Sequence, residues 1–175
     1  TPPVVGNQTI SEIEVMRINP SVAYKISSNL AVAVGIDYNT GKAKLGAYAQ
    51  GPVNAVNDLS GDGVGWNLGL LYKLSNNTKM GLGYYSETKV KATGELYVGG
   101  LMQAEVESTL DFPSMVTFSV YHDLSTKMDV GFSAFYNGWS SMQNIVITGG
   151  PVDSETVLGF KNTMYYALGT DYKYN

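Results

Sequence analysis

The stretch Gly65-Trp66-Asn67-Leu68-Gly69-Leu70-Leu71-Tyr72-Lys73-Leu74 decides the fold. Taken at every second residue, it separates into two sets. Trp66, Leu68, Leu70, Tyr72 and Leu74 form one; Asn67, Gly69, Leu71 and Lys73 form the other. Side chains alternate between the two faces of a strand, whereas a helix would repeat apolar positions at i, i+3 and i+4. Trp66 and Tyr72 bracket the apolar set, and aromatic rings with one polar edge favour the boundary between hydrocarbon and water. About eight residues at ~3.3 Å each, tilted by ~40°, cover roughly 20 Å, close to the ~25 Å apolar band of a membrane-spanning β-barrel.

The same split recurs outward from this stretch. Leu30, Val32, Val34, Ile36 and Tyr38 oppose Ala31, Ala33, Gly35, Asp37 and Asn39. Met80, Leu82, Tyr84 and Val90 oppose Lys79, Tyr85, Glu87, Lys89, Lys91 and Glu95. Segments 16–26, 112–120, 128–136 and 164–174 follow suit. Segments 30–48, 79–97, 104–124 and 127–147 are far longer than the 3–10 residues usual in globular strands. Tight turns at Ser27-Ser28-Asn29, Ser75-Asn76-Asn77-Thr78 and Ser125-Thr126 alternate with connections near 49–64, 98–103 and 148–158 that read as longer loops. Short turns on one side and long loops on the other mark an outer-membrane barrel. The expectation is an all-β, antiparallel transmembrane barrel with about seven long strands, a single partial barrel domain over residues 1–175.

Composition narrows the function. The 175 residues include 13 Tyr, 20 Gly and no Cys, with a net charge of −4. A nucleic-acid partner is not expected without a basic footprint. Disulfides and thiolate metal sites are excluded, and His122 is the single histidine. Mean hydropathy is −0.05, and no run approaches the ~18 apolar residues of a membrane helix. No catalytic constellation or cofactor motif is visible, so neither an enzyme nor a bound cofactor is expected.

Several motifs resemble the FadL-like outer-membrane transporters of long-chain fatty acids and aromatic hydrocarbons. They are Ile18-Asn19-Pro20-Ser21-Val22-Ala23-Tyr24-Lys25, Val34-Gly35-Ile36, Gly65 to Tyr72, and Gly83-Tyr84-Tyr85-Ser86-Glu87-Thr88-Lys89-Val90. Leu110-Asp111-Phe112-Pro113-Ser114-Met115, Phe135-Tyr136-Asn137-Gly138-Trp139-Ser140, Gly159-Phe160-Lys161-Asn162-Thr163 and Ala167-Leu168-Gly169-Thr170 follow in the same order. The resemblance implies part of a 14-stranded barrel in the bacterial outer membrane, a hydrophobic ligand captured from outside, and passive release sideways through the wall. The family's N-terminal hatch and closing strands have no counterpart here. The expected partners are therefore membrane lipid, a hydrophobic small molecule, and the remainder of the barrel or other chains along the sheet edges. A surface barrel acting through its loops, or a small barrel closed by oligomerisation, are the alternatives.

Candidate ligand contacts are cations. Arg17, Lys89 and Lys91 fall on the polar register and are expected to face the lumen, where they could meet a ligand carboxylate. Lys42 and Lys44 fall on the lipid-type register. By resemblance they lie near a fatty-acid head group, either above the membrane or re-aimed by a bulge at Gly41. Glu105, Glu107, Asp111 and Asp123 are expected to share the lumen face. Ser60-Gly61-Asp62-Gly63 is a weak match to a calcium loop, without the ligand series or terminal Glu. Pro20 and Pro113 each remove a ladder donor and predict local breaks.

Overall fold

The computed structural model describes residues 9–48, 54–151 and 153–174. It contains β1 (Thr9–Ile18), β2 (Ser21–Lys25), β3 (Leu30–Tyr48), β4 (Asn54–Lys73), β5 (Thr78–Tyr85) and β6 (Thr88–Val98). Then come β7 (Leu101–Phe112), β8 (Met115–Asp123), β9 (Met128–Asn137), a short 3-10 turn (Trp139–Ser141), β10 (Asn144–Thr148), β11 (Ser154–Val157) and β12 (Thr163–Tyr172). All twelve strands join one antiparallel sheet. They pair as seven staves: β1 with β2, β3, β4, β5 with β6, β7 with β8, β9 with β10, and β11 with β12. The lower halves run β2-β3-β4-β5-β8-β9-β12 and the upper halves β1-β3-β4-β6-β7-β10-β11. The sheet is open: β2 and β12 do not pair with each other.

The three tight turns share one construction. Ser27 Oγ accepts from the Asn29 and Leu30 amides at 3.2 and 3.1 Å, and Ser125 Oγ from those of Lys127 and Met128 at 3.2 and 3.0 Å. Ser75 Oγ accepts from Asn77 N at 3.2 Å. This repeated serine fixes the short-turn, periplasmic end of the wall.

The opposite end differs from the sequence expectation. Of the connection expected near 49–64, residues 54–64 are strand, since β4 begins at Asn54, and residues 49–53 lie outside the described residues. Ser60-Gly61-Asp62-Gly63 is therefore strand, paired residue by residue with Lys42 to Asn39, and no calcium loop forms. The 98–103 connection is the two-residue turn Gly99-Gly100, where φ is +61° and +81° and glycine is required. β3 and β4 have 19 and 20 residues. At ~3.3 Å per residue and ~40° tilt, such strands stand roughly 50 Å tall, about twice the apolar band. Half of the wall therefore rises above the membrane.

Two devices turn the wall inside out at the membrane surface. On β3 and β4 the pairing register is unbroken, and the sequence itself changes phase. Below, Val34, Ile36, Val64 and Trp66 are exposed on the lipid side, while Asp37, Asn39 and Asn67 are buried on the inner side. Above, Lys42 and Lys44 stand outside, and Ala43 and Leu59 are buried inside. In the β5/β6 stave the sequence keeps its phase and the backbone changes. Asn67 pairs with Tyr85, but Asp62 pairs with Lys91, so Ser86-Glu87 carries one extra residue relative to β4. The β7/β8 stave matches it at Pro113-Ser114, with Tyr85 opposite Met115 and Thr88 opposite Phe112.

This bulge corrects the face expected for Lys89 and Lys91. An uninterrupted strand over 79–97 would point them into the lumen; the extra residue instead buries Val90 and Ala92 inside and leaves both lysines on the outer wall. Glu105, Glu107 and Asp111, paired with Glu95, Thr93 and Lys89, are likewise outside, and Asp123 alone of the four acids lies on the lumen register. Pro20 separates β1 from β2 without a change of phase, because Ile18–Tyr38 and Ser21–Gly35 continue the same register.

Candidate functional site: an apolar groove above a polar lumen

Within the membrane-spanning half, small residues on the inner register (Ala31, Ala33, Gly35, Gly69, Gly83) leave room for a layer of longer polar side chains. Asp37, 3% exposed, accepts from Asn19 Nδ2 at 2.8 Å and Asn67 Nδ2 at 3.0 Å. Asn67 lies across Gly35, whose hypothetical Cβ would sit 2.8 Å from Asn67 Nδ2, so only glycine admits this pair. Arg17 Nε donates to Asn39 Oδ1 at 2.9 Å, and the guanidinium lies 5.5 Å from the centre of the Tyr85 ring. The carboxylate has both oxygens bonded to amides and the arginine is held by an amide and a ring, without an ion pair, while Asn39 Nδ2 in the same layer is buried without a partner.

Above this layer the inner face becomes hydrocarbon. Ala43, Leu59, Ala92, Val106 and Ile147 pack as a buried collar, with Leu45, Leu96 and Ile145 against it. Leu59 is only 1% exposed. Over the collar opens a groove of about 780 Å³, walled by Ile13, Leu45, Leu96, Phe112, Ile145 and Leu158. Trp139 and Phe160 also line it, meeting edge to face at 5.7 Å between centroids. They are brought in by the break between β9 and β10. Gln143 Nε2 donates to the carbonyls of Ser140 (2.8 Å) and Phe160 (2.9 Å), and Asn162 Oδ1 accepts from Ser140 N at 2.9 Å, tying the 3-10 turn to the next stave. A concavity of this size with predominantly apolar walls, among which Ser11, Asn57, Ser154 and Thr156 are the polar side chains, is suited to a hydrophobic small molecule.

The outer wall of the same upper half is charged. Glu12 and Glu14 on β1 face Lys44 and Lys42 on β3; Asp58 and Asp62 on β4 face Lys44 and Lys91 on β3 and β6. Lys44 Nζ lies 3.6 Å from Asp58 Oδ2 with both side chains about half exposed, a surface pair worth ~0–1 kcal/mol. Tyr97 donates to Glu95 on this wall, and that bond, with the nearby negative charge, raises the Tyr97 phenol above its usual range. Lower down, a second concavity of about 450 Å³ formed by Val22, Tyr24, Val34, Leu68, Leu82 and Tyr84 lies on the lipid side of the wall. Trp66 and Tyr84 meet at 5.1 Å along its upper edge, an aromatic girdle as the sequence implies.

Of the five cations singled out from the sequence, the structure therefore brings Arg17 alone to the inner face. Lys42, Lys44, Lys89 and Lys91 are gathered on the outer wall, without a bulge at Gly41. Sequence reasoning missed the groove itself. Its signal was present in β3, where the apolar positions change from even to odd after Tyr38, but in β6 no such change exists because the bulge does the work. His122 Nδ1 and Thr78 Oγ1 lie 2.8 Å apart near the periplasmic turns, remote from the groove.

Known proteins share this architecture. Residues 5–175 match the family model described as outer membrane protein transport protein (OMPP1/FadL/TodX). A long-chain fatty acid transport protein of Escherichia coli O6:H1 is 28% identical over an alignment covering 98% of this chain and 48% of that protein. Outer membrane protein P1 of Haemophilus influenzae is 22% identical, with 97% and 45% covered. Among solved structures, a Pseudomonas aeruginosa FadL homologue superposes with a TM-score of 0.81 at 18% identity, covering 94% of this chain and 47% of that one. The Ralstonia pickettii toluene transporter TbuX gives 0.78 at 20% identity, with 96% and 54% covered. The chain spans about half the length of the curated relatives it matches. With the seven-stave wall, its girdle and the match over residues 5–175, the chain belongs to the OMPP1/FadL/TodX family of outer-membrane transport proteins.

Proposed function

We propose that this chain forms the capture side of a passive outer-membrane conduit for hydrophobic small molecules, long-chain fatty acids or aromatic hydrocarbons. The observation that carries the reading is the inversion of the wall: an apolar groove of about 780 Å³ opens inward above the membrane while the outer surface beside it is charged. Apolar surface removed from water is stabilised by ~25 cal/mol per Å², so a hydrophobic molecule arriving from outside partitions into the groove rather than onto the wall. The names of the relatives, transporters of long-chain fatty acids and of toluene, agree with that chemistry. Binding and passage require no covalent step.

On this reading residues 1–175 are one continuous part of a barrel wall. The free edges along β1 and β2 and along β11 and β12 pair with further strands, since unpaired N–H and C=O groups in hydrocarbon cost several kcal/mol each. The test is uptake of fatty acids and alkylbenzenes by cells producing the intact protein, cells lacking it, and cells producing Trp139→Ala. Uptake is expected to fall without the protein and to be reduced by Trp139→Ala. Normal uptake in cells lacking it refutes the proposal.

A further inference from the structure

The outer wall above the girdle carries a cleft of its own, on the opposite face from the groove. It holds about 600 Å³ between β6, β7 and β10. β10 pairs with β7 through Ile147–Ser108 and Thr148–Glu107, and below those pairs the two strands part. Asn144 then stands across the cleft from Thr109 and Asp111. The lining is polar. Thr93 and Thr109 bring hydroxyls, Asn144 an amide, Glu107 and Asp111 carboxylates, and Lys91 a cation. Asp111 Oδ1 is buried with no hydrogen-bond partner, although an ionised carboxylate accepts from several donors. Lys89 and Lys91 are exposed and pair in register with Asp111 and Asp62. Neither lysine has a carboxylate within ion-pair distance among the described residues. The cations and the acid are therefore side by side and open to a further partner.

The height of the cleft names that partner. Lys89, opposite Asp111, follows closely on Ser86-Glu87, the bulge at which the wall passes from lipid to water. The pair Thr93–Glu107 marks the upper lip. From Lys89 to Thr93, at ~3.3 Å per residue and ~40° tilt, the cleft covers roughly 10 Å just above the hydrocarbon, the depth of the lipid head groups. What meets an outer-membrane wall at that depth is the glycolipid of the outer leaflet, whose head is a phosphorylated sugar. Hydroxyls, an amide and carboxylates match sugar hydroxyls as donors and acceptors, and lysines at a membrane surface attract anionic heads. A plain anionic phospholipid would engage the lysines but offers few hydroxyl donors for Glu107 and Asp111.

We propose that the cleft between β6, β7 and β10 is a docking site for the phosphorylated sugar head of an outer-leaflet glycolipid. Lys89 and Lys91 hold its phosphate. Asp111 and Glu107 accept from sugar hydroxyls, and Asn144 and Thr109 complete the bonding. The acyl chains descend into the bilayer along the apolar face of the same wall. The site lies on the outside of the wall and does not depend on what passes through the lumen.

The test uses the intact protein, delipidated in detergent, and reads bound lipid by native mass spectrometry. The probes are a diphosphorylated glucosamine-disaccharide glycolipid, the same glycolipid with its phosphates removed, and phosphatidylglycerol. The variants are Lys89→Gln with Lys91→Gln, each of these alone, and Asn144→Ala. Lys44→Gln, on another part of the outer wall, is the control. Folding of each is checked by heat-modifiable electrophoretic mobility, and the single lysine variants keep the test standing if the pair does not assemble. The wild type is expected to bind the phosphorylated glycolipid about 10-fold or more tighter than either other lipid. Loss of both lysines is expected to weaken it about 30-fold, at about a factor of five for each charge at a membrane surface. Asn144→Ala is expected to weaken the glycolipid and leave phosphatidylglycerol unchanged, which separates recognition of sugar from attraction of charge. Lys44→Gln is expected to change neither. Equal binding of phosphatidylglycerol and the glycolipid reduces the cleft to a general attraction for anionic lipid and overturns the proposal. So does glycolipid binding that the lysine variants leave intact, or no glycolipid binding by the wild type.

Discussion

Lys91 and Ala92 are chain neighbours with opposite fates, and exchanging their chemistry separates a bulged stave from an uninterrupted one. Ala92 is 4% exposed and packs with Ala43, Leu59, Val106 and Ile147. A lysine there must place an ammonium among aliphatic groups that offer it no acceptor. Leaving one charge buried and unpaired costs about 3–5 kcal/mol. The three extra side-chain carbons add ~1–3 kcal/mol of overpacking. Against a total stability of ~5–15 kcal/mol, Ala92→Lys is close to disabling for the upper wall. Lys91 is exposed and sits across from Asp62 without a close ion pair, so Lys91→Ala is expected to change stability by less than ~1 kcal/mol. The assay is urea unfolding of the intact protein in lipid vesicles, followed by Trp fluorescence and electrophoretic mobility. An uninterrupted strand would reverse the order, burying position 91 and exposing position 92. A tolerated Ala92→Lys beside a damaging Lys91→Ala would refute the bulge and, with it, the inward-facing groove.

Two further outcomes follow from the faces. Leu68, between Trp66 and Tyr72 on the lipid side, is expected to resist charge: Leu68→Lys should cost about 2–4 kcal/mol in the same unfolding assay, whereas Asn67→Ser on the adjoining inner position should cost the smaller sum of its bond to Asp37. Tyr97 is expected to ionise above the ordinary tyrosine value of about 10 because its hydroxyl donates to Glu95 beside a negative charge. The neutral phenol is the form the fold favours, so whatever this contact contributes is complete below pH ~10 and is lost as pH rises through the raised value. Ultraviolet difference titration of wild type against Tyr97→Phe reads it, and Glu95→Ala should return the Tyr97 component toward the ordinary value.

The membrane half of the wall was legible in the sequence because one physical rule governs it. Hydrocarbon on one side and water on the other force strict alternation, and Trp66 to Leu74 or Leu30 to Tyr38 carry it without exception on the lipid face. The serine turns were legible for a similar reason, since Ser27, Ser75 and Ser125 each do the same local bonding. Above the membrane the two sides exchange roles, and alternation alone no longer says which set faces inward. In β3 the exchange is written in the residues, so Lys42 and Lys44 could be placed on the outer register. In β6 it is made by one extra backbone residue at Ser86-Glu87, which leaves the period of the sequence untouched and so misdirected Lys89 and Lys91. Pro113 signalled the matching break in the next stave, but a proline marks an interruption without saying whether the phase survives it: at Pro20 it does, at Pro113 it does not. The groove escaped notice because its walls come from staves distant in the chain, and Trp139 and Phe160 reach it through a turn held by Gln143.

The inversion of the wall is tested most directly by a spin-label scan along β3 in this cysteine-free chain, one cysteine at a time from Val34 to Leu45, in the intact protein in vesicles. Accessibility to oxygen reports lipid and accessibility to a water-soluble nickel chelate reports water. Labels at Val34, Ile36 and Tyr38 are expected to be oxygen-accessible, labels at Lys42 and Lys44 nickel-accessible, and labels at Ala43 and Leu45 shielded from the chelate. Oxygen-accessible labels at positions 43 and 45, or nickel accessibility there equal to that at 42 and 44, would contradict an apolar groove facing inward above a polar lumen.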